Sequence, residues 1–386
     1  MKDAAPMLHD IKDLNLDFEE IDENFAQFRG LPIHTYTDQK IYDFEIDTIF
    51  EGSWQFLCPV AKVSKPGDIY EGRIGRSNVF VTRNADGELR GFLNFCRHRG
   101  FKLVEENASD KKLIRCRYHA WAFDLNGELR AAPNTDDQPG FKKCDHSLIP
   151  ISVTEWGPIV MVNTDPDARS LFEEHPQIKR WVEKYGVKTD PEHYEEYVEK
   201  TIHQQSNWKL WYDNGTECYH CNTIHSASFG EAFDVRDGNY SFELEGGMTS
   251  YSFASTEQLL GDELRSLTYA SYQIFPGLQL IQQDDLMVLG RMTPTGPDSC
   301  DVTVFYMKEK TADLARVDRW IEVWHKTFEE DGEVAEVQQS NMTSPHAKVF
   351  QYVESREEPT IFINRVILQA YKDRVAKLER AEEQGC

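Results

Sequence analysis

The chain is poor in positive charge: among its 386 residues, 42 Lys and Arg stand against 66 Asp and Glu, which gives a formal net charge of −24. A surface of that sign repels nucleic-acid phosphates and anionic membranes, so we expect neither as a partner. No apolar run approaches the roughly 20 residues that span a bilayer. The acidic N-terminal segment has no apolar signal-peptide core, so we expect a cytoplasmic protein.

The sequence also lacks internal repeats, low-complexity tracts and a glycine-rich dinucleotide fingerprint. Because that fingerprint is missing, we expect any NAD(P)H chemistry to belong to another polypeptide. Cysteine occurs at eight positions. In a chain of this size without a secretion signal, metal ligands and free thiols are expected rather than disulfides.

Two cysteines and two histidines do form a pattern, as the mixed pairs Cys96-x-His98 and Cys116-x-x-His119. Thiolate sulfur and imidazole nitrogen suit zinc or iron–sulfur chemistry. Equal numbers of both suit a [2Fe–2S] cluster with cysteines on one iron and histidines on the other. A structural zinc site is the alternative, although zinc fingers place Cys with Cys and His with His.

The pattern of apolar runs divides the chain. Short apolar runs alternate with turn signals between about residues 61 and 165, which predicts an all-β domain over 45–165. After residue 165 the sequence pattern changes to a mixture of helical and strand stretches, and residues 166–386 are predicted to form an α+β domain. We expect the arm of residues 1–44 to be helical and to pack on that second domain.

Within the second domain, three stretches have distinct patterns. Residues 170–235 are predicted to be largely helical, and residues 240–310 to contain strands. Residues 311–345 are predicted to form one long helix, because apolar residues recur there every three or four positions.

A second motif, Glu217-x-x-His220-x-x-x-x-His225, lies in the predicted α+β domain. Two histidines and one distant carboxylate form the facial triad of non-haem Fe(II) oxygenases. On an ideal helix, five residues would leave the two histidines roughly 140° apart, so we expect an irregular turn between them. The alternatives are two ordinary histidines, or a redox pair formed by Cys218 and Cys221.

The third ligand is predicted from the phase of the long helix. Asp331 falls on an otherwise apolar face, and because a buried unpaired carboxylate is costly, we expect it to have a metal partner. The adjacent acids Glu329, Glu330 and Glu333 fall on other faces and are expected to be solvated. The alternative is a different helix phase with Asp331 exposed. The predicted face comprises Val317, Trp320, Ile321, Trp324, Phe328, Asp331, Val334 and Gln338.

Together with Asn207-Trp208-Lys209 and Glu330-Asp331-x-x-x-x-Glu336-Val337-Gln338, these motifs resemble the large (α) subunit of Rieske non-haem iron oxygenases over most of the chain. The resemblance implies an all-β Rieske domain followed by a helix-grip catalytic domain with an antiparallel sheet. It assigns the [2Fe–2S] cluster to Cys96, His98, Cys116 and His119. It assigns a mononuclear iron to His220, His225 and Asp331. Ala120 departs from the family, which usually has Gly there.

By the same resemblance, Glu217 matches the acid that bridges the two metal centres. The alternatives for Glu217 are an iron ligand or a simple helix-face acid. A Glu followed by Cys-Tyr-His-Cys resembles the subgroup that oxidises N-methylated quaternary amines. Four aromatic residues near the motif could cage a quaternary ammonium or simply belong to the core: Trp211, Tyr212, Tyr219 and Phe229.

The resemblance implies a terminal oxygenase that uses O₂ and electrons from NAD(P)H. The electrons would come from a separate reductase, with or without a ferredoxin. It also implies a homotrimer, and the short chain favours one without an obligatory small β subunit. The substrate is expected to be a small aromatic or a quaternary ammonium. The alternatives are an electron-transfer protein without oxygenase activity and a structural zinc-binding protein.

Overall fold

The computed structural model describes residues 13–234, 240–246, 248–255 and 269–385. It divides into two compact units, one of residues 50–195 and the other of residues 1–49 with 196–386. These limits differ from the sequence boundaries at 45 and 166. Residues 166–195 stay with the first unit because the Trp54 indole donates to the Arg169 carbonyl and Gly157 closely approaches Thr189.

The arm before residue 50 is not entirely helical. The part of the arm that the structure describes begins at residue 13, and its first helix is capped by Asp17, whose carboxylate accepts hydrogen bonds from two backbone N–H groups. The expectation of a helical arm is wrong for its strand, which pairs with Val349–Gln351 in the C-terminal half of the chain. Its elements are α1 (Phe18–Ala26), β1 (Arg29–Pro32), a 3-10 turn (Ile33–Tyr36), α2 (Gln39–Glu45) and a π-helical turn (Ile46–Phe50).

The regular elements of residues 50–195 are mostly strands, as the turn signals of residues 61–165 predicted. A six-stranded sheet has the order β2-β10-β9-β5-β4-β3, and a smaller sheet has the order β6-β7-β8. The strands are β2 (Gln55–Pro59), β3 (Ile69–Ile74), β4 (Ser77–Arg83), β5 (Leu89–Leu93), β6 (Leu113–Arg115), β7 (Ala122–Asp124), β8 (Leu129–Ala131), β9 (Pro150–Trp156) and β10 (Ile159–Asn163). The helices are α3 (Leu171–Glu174) and α4 (Gln177–Tyr185), with 3-10 turns at Val60–Val63, Lys143–His146 and Pro191–His193.

The C-terminal half is built on a large sheet of order β11-β18-β17-β16-β15-β14-β12, with β13 paired to β14. Its strands are β11 (Tyr194–Gln204), β12 (Phe233–Asp234), β13 (Tyr240–Glu245), β14 (Met248–Ser255), β15 (Tyr269–Ile274), β16 (Leu278–Gln283), β17 (Leu286–Gly296) and β18 (Ser299–Glu309). A separate strand, β19 (Val349–Gln351), pairs with β1. The helices are α5 (Trp208–Gly215), α6 (Cys221–Ile224), α7 (Phe229–Ala232), α8 (Leu314–Met342) and α9 (Glu354–Gly385).

A strand-built region that ends with β10 and an α+β unit in the C-terminal half confirm the predicted fold class. The strands within 240–310 and the long helix over 311–345 are also confirmed. The helical prediction for 170–235 is wrong at β11, an eleven-residue strand whose inner residues alternate between exposed and half-buried. Its Glu and Lys residues favour helices intrinsically, but pairing with β18 decides the conformation. None of the described helices is long and apolar enough to cross a membrane.

Two candidate metal centres

The cysteine–histidine pairs lie on two loops of the same design, one after β5 and one after β6. In each loop the cysteine N–H donates to the carbonyl five residues later: Cys96 to Phe101 at 2.8 Å and Cys116 to Trp121 at 2.8 Å. The residue four positions after each cysteine has a left-handed backbone, with φ of 73° at Gly100 and 61° at Ala120. The matching hydrogen bonds explain why the two pairs form equivalent turns.

Burial separates the two kinds of ligand. Cys96 and Cys116 are 2% and 3% exposed, whereas His98 and His119 are exposed at the surface. The histidine rings lie 4.6 Å apart between centroids, and His98 stacks on Trp121. An inner pair of sulfurs and an outer pair of imidazoles fit a two-iron cluster with its histidine iron near the surface.

The electrostatics of this site also fit a metal. Burial is the main cause that raises the pKa of the Cys96 thiol to about 11, so a thiolate here needs a cationic partner. Burial and the nearby His119 and Arg99 lower the pKa of His98, which favours the neutral imidazole that a metal binds. The donor set therefore suits the [2Fe–2S] cluster better than four free side chains.

The second centre is built around helix α6, a single turn with His220 at its N-cap and His225 at its C-cap. An irregular or wide turn was expected between the two histidines, whereas the residues between them form a short helical turn that ends at His225. Gly230 fits against it because a Cβ there would lie 2.7 Å from the Cys221 carbonyl oxygen, too close for any other residue. The Gly230 N–H donates to the His225 carbonyl and closes the loop.

Three potential ligand atoms converge at this centre. His220 Nε2 and His225 Nε2 are 3.1 Å apart, and Asp331 Oδ1 lies 3.3 Å from the first and 2.9 Å from the second. Bonds of about 2.1 Å to a shared metal place neighbouring ligands about 3 Å apart. The spacing and the His₂-carboxylate set fit one non-haem iron. Asp331 is 9% exposed, which excludes the alternative of an exposed carboxylate.

The opposite edges of both imidazoles face carboxylates. His220 Nδ1 lies in hydrogen-bond contact with Glu217, and His225 Nδ1 lies 2.9 Å from Glu330 Oε2. The prediction that Glu330 is solvated is therefore wrong, although Glu329 and Glu333 are exposed as predicted. Sequence reasoning also missed Asn214, whose amide donates to Asp331 Oδ1 at 2.7 Å.

The carboxylates and histidines of this centre shift one another's pKa values. Burial by itself would lower the pKa of His220, but contacts with Asp331 and Glu217 raise it to about 10. Burial likewise opposes the charge on Asp331, yet its two histidine partners lower its pKa to about 2. Contacts with Asp331 also raise the pKa of His225, so the carboxylate and the two imidazoles attract one another at this centre, and a bound metal ion would compete with protons for them.

Cys218 and Cys221 form a disulfide beside the same centre. The expectation of free or metal-bound thiols is wrong at these two positions, because helix α6 brings the side chains together. The Cys221 sulfur lies within 4.8 Å of potential ligand nitrogens of both histidines. In a disulfide it is not a thiolate, so Asp331 is the better third ligand.

A small cavity of about 60 Å³, partly open to solvent, lies over this centre. Its apolar wall includes Phe229, Trp324 and Phe328, with ring centroids of Trp324 5.4 Å from Phe229 and 5.9 Å from Phe328. Of the four aromatic residues proposed as a cage, only Phe229 lines the cavity. The other three are a buried Trp211, a buried Tyr212 whose hydroxyl donates to the Pro276 carbonyl, and an exposed Tyr219.

Comparison with known proteins supports this description. Residues 53–152 match the family model of the Rieske [2Fe-2S] domain, and residues 191–373 match that of the ring hydroxylating alpha subunit (catalytic domain). The carnitine monooxygenase oxygenase subunit of Acinetobacter baumannii is 30% identical over 224 residues, 58% of this chain and 59% of that protein. The glycine betaine monooxygenase oxygenase subunit of Pseudomonas aeruginosa is 32% identical over 197 residues, 51% of this chain and 44% of that protein. The matched region thus spans about three fifths or less of these relatives.

Solved structures share the fold. The quaternary ammonium Rieske monooxygenase CntA, solved with an inhibitor, superposes with a TM-score of 0.82 at 22% identity, covering 92% of this chain and 98% of its own. Naphthalene 1,2-dioxygenase from Rhodococcus superposes with a TM-score of 0.75 at 19% identity, covering 93% and 97%. The two matched domains imply a [2Fe–2S] cluster and a mononuclear iron. The chain therefore carries a Rieske [2Fe-2S] domain followed by a ring hydroxylating alpha subunit catalytic domain.

Proposed function

We propose that the chain is the terminal oxygenase component of a multicomponent Rieske oxygenase. It would use O₂ and electrons from NAD(P)H to oxidise an N-methylated quaternary ammonium compound. The observation that carries this proposal is the convergence of His220, His225 and Asp331 beneath a cavity with an aromatic wall. A pure electron carrier would need neither the cavity nor the second set of ligands.

Each ligand set has a separate task in this proposal. Cys96, His98, Cys116 and His119 would hold the cluster, and its histidine edge is exposed on the single chain. The mononuclear iron held by His220, His225 and Asp331 would supply O₂ activation when bound. The aromatic wall would hold the substrate and exclude water from the reacting carbon.

Glu217 is proposed to bridge the two centres. Its carboxylate contacts His220 Nδ1 and the backbone N–H of Tyr219, so its orientation is fixed within the chain. A carboxylate that holds a ligating imidazole can also accept a hydrogen bond from a cluster histidine of a neighbouring copy. This gives the proposed homotrimer a path for electrons from His119 of one copy to His220 of the next.

The substrate class follows from the cavity and the relatives. Tryptophan and phenylalanine faces attract quaternary ammonium groups, and the carboxylates of Glu217 and Asp331 border the same space. Two of the relatives are named as oxygenase subunits of carnitine monooxygenase and glycine betaine monooxygenase, which favours a quaternary ammonium substrate. A small aromatic acid is the second candidate, because the alpha subunit of toluate 1,2-dioxygenase from Pseudomonas putida is 28% identical over 264 residues.

The partners are proposed on the same basis. A separate reductase, with or without a ferredoxin, would supply electrons, because the chain has no dinucleotide fingerprint. A cytoplasmic location and a homotrimer without a small β subunit complete the proposal. Light scattering of the protein expressed alone tests the trimer.

An oxygen-uptake screen tests the function. Iron-loaded protein is mixed with NADH, a surrogate Rieske-oxygenase reductase and a panel of quaternary ammonium compounds and aromatic acids. We expect O₂ uptake with formation of formaldehyde and a demethylated amine for at least one quaternary ammonium. Reductase without the chain, and the His220→Ala variant, are the controls. A hydroxylated aromatic product instead would establish the second candidate, and reduction of the cluster without any substrate-dependent uptake would refute the oxygenase.

A further inference from the structure

The less exposed of the two iron-binding histidines has a partner that the sequence motifs do not explain. The His225 side chain is only 1% exposed, and its Nδ1 lies 2.9 Å from Glu330 Oε2. The same carboxylate oxygen accepts a hydrogen bond from the Ser228 hydroxyl at 2.5 Å. The other oxygen lies 3.7 Å from the Lys326 ammonium. The Glu330 carboxylate is therefore fixed by contacts with an imidazole, a hydroxyl and an ammonium group, and 19% of its side chain is exposed.

We propose that Glu330 is a positioning residue for the iron ligand His225. By accepting a hydrogen bond from Nδ1–H, the carboxylate keeps the proton on that nitrogen and leaves the Nε2 lone pair for the metal. It also fixes the rotation of the ring, because the Ser228 hydroxyl restrains the accepting oxygen. This inference rests on the proposed mononuclear iron site.

The geometry of helix α8 makes this arrangement specific. Successive residues on a helix project about 100° apart. Asp331 therefore reaches the Nε2 edge of His225 at 2.9 Å while Glu330 reaches its Nδ1 edge. One helix thus supplies a ligand and the acid that orients another ligand. His220 has its own acid, Glu217, from the local chain.

A purely structural role is the competing explanation, since Glu330 also joins helix α8 to the loop that carries His225 and Ser228. The two roles differ in what they change. If Glu330 only ties the two segments together, its loss would lower the unfolding temperature and nothing else. If it positions His225, its loss would also weaken metal binding and change the ligand geometry that the EPR line shape reports.

The test compares Glu330→Ala, Glu330→Gln and the matched control Glu329→Gln, which removes an equal charge from the neighbouring exposed position. The cluster-loaded protein is titrated anaerobically with Fe(II), and with Co(II) as a spectroscopic probe. The Fe(II)–nitric oxide complex is then examined by EPR. We expect Glu330→Ala to weaken metal binding about 10–100-fold and to shift the EPR line shape. Glu330→Gln keeps an accepting oxygen and should show a smaller loss, of about a few fold.

Several outcomes would overturn the inference. One is Fe(II) affinity within twofold of wild type in Glu330→Ala with an unchanged EPR signal, even if its unfolding temperature falls. If Glu330→Ala does not fold, Glu330→Gln decides, and an affinity equal to that of Glu329→Gln counts against the inference. If the wild-type protein binds no Fe(II) or Co(II) at this centre, the proposed function itself fails, which is a separate result.

Discussion

A buried ion pair between Lys209 and Glu45 gives the sharpest prediction about stability. Lys209 Nζ lies 2.6 Å from Glu45 Oε1, and both side chains are fully buried. Glu45 also accepts hydrogen bonds from the Trp208 indole at 2.8 Å and from the Tyr371 hydroxyl. Burial lowers the pKa of Lys209 while Glu45 opposes that shift. The pair connects helix α2 of the arm to helix α5.

Replacing one partner should be costly because the other charge stays buried. Breaking a buried pair in this way costs about 3–5 kcal/mol, so we expect Lys209→Met to lower the free energy of unfolding by that amount. The double variant Glu45→Gln with Lys209→Met removes both charges and leaves an amide that can still accept from Trp208. Glu45→Gln alone should cost about as much as Lys209→Met, so a double variant that costs no more than either single change gives a coupling energy of about 3 kcal/mol.

Urea unfolding followed by tryptophan fluorescence measures both effects, and the cluster absorbance reports separately on residues 50–195. Lys40→Met is the matched control, because its ion pair with Asp13 is exposed on both sides and should matter little. A loss below about 1 kcal/mol in Lys209→Met, or simple additivity in the double variant, would refute a buried charged pair.

Three further predictions concern a loop, a buried acid and the bridge. Ala120 adopts φ of 61°, so Ala120→Gly should relieve about 1 kcal/mol of strain and raise the temperature at which the cluster band is lost; a lower temperature would contradict this. Asp213 is enclosed by Tyr36 and Asn364, and burial raises its pKa from the ordinary 3.8 to about 6, so the folded state keeps a proton that the unfolded chain releases. The free energy of unfolding should therefore fall as the pH rises above 3.8, and between pH 5 and 7 the wild type should lose about 1.4 kcal/mol relative to Asp213→Asn. If the free energy of unfolding of the two proteins depends on pH in the same way, Asp213 is excluded as the cause. Glu217→Gln should keep both metals but slow the reoxidation of the pre-reduced cluster by O₂ with substrate present, and unchanged reoxidation would argue against the bridge.

Local spacing made much of the site predictable. The two mixed pairs and the Glu217-to-His225 motif are short, so their residues remain neighbours in the folded chain. Asp331 could be placed because helix α8 is long and its apolar face is regular up to Phe328. Beyond Asp331 the predicted face departs from the buried face of the helix, because Ala335 and Gln339 are buried instead of the predicted Val334 and Gln338. A step of four residues turns a helix 40° past a full circle and a step of three leaves it 60° short.

Contacts between distant segments were not predictable. Glu330 meets His225 only because helix α8 packs beside the loop that follows α6, and nothing in the sequence fixes that packing. The disulfide between Cys218 and Cys221 depends on the tight turn of α6. Strand β11 was missed because its charged residues match a helix in composition, whereas its pairing partner β18 lies about a hundred residues away.

The central claim is that one chain holds two separate iron centres on two separate sets of residues. Iron and sulfide analysis of wild type and His220→Ala, combined with EPR of the reduced cluster, tests this most directly. We predict about three iron atoms and two sulfides per chain in the wild type. The variant should hold about two of each, with an unchanged cluster signal. Zinc in place of iron, or loss of the cluster signal in His220→Ala, would contradict the account.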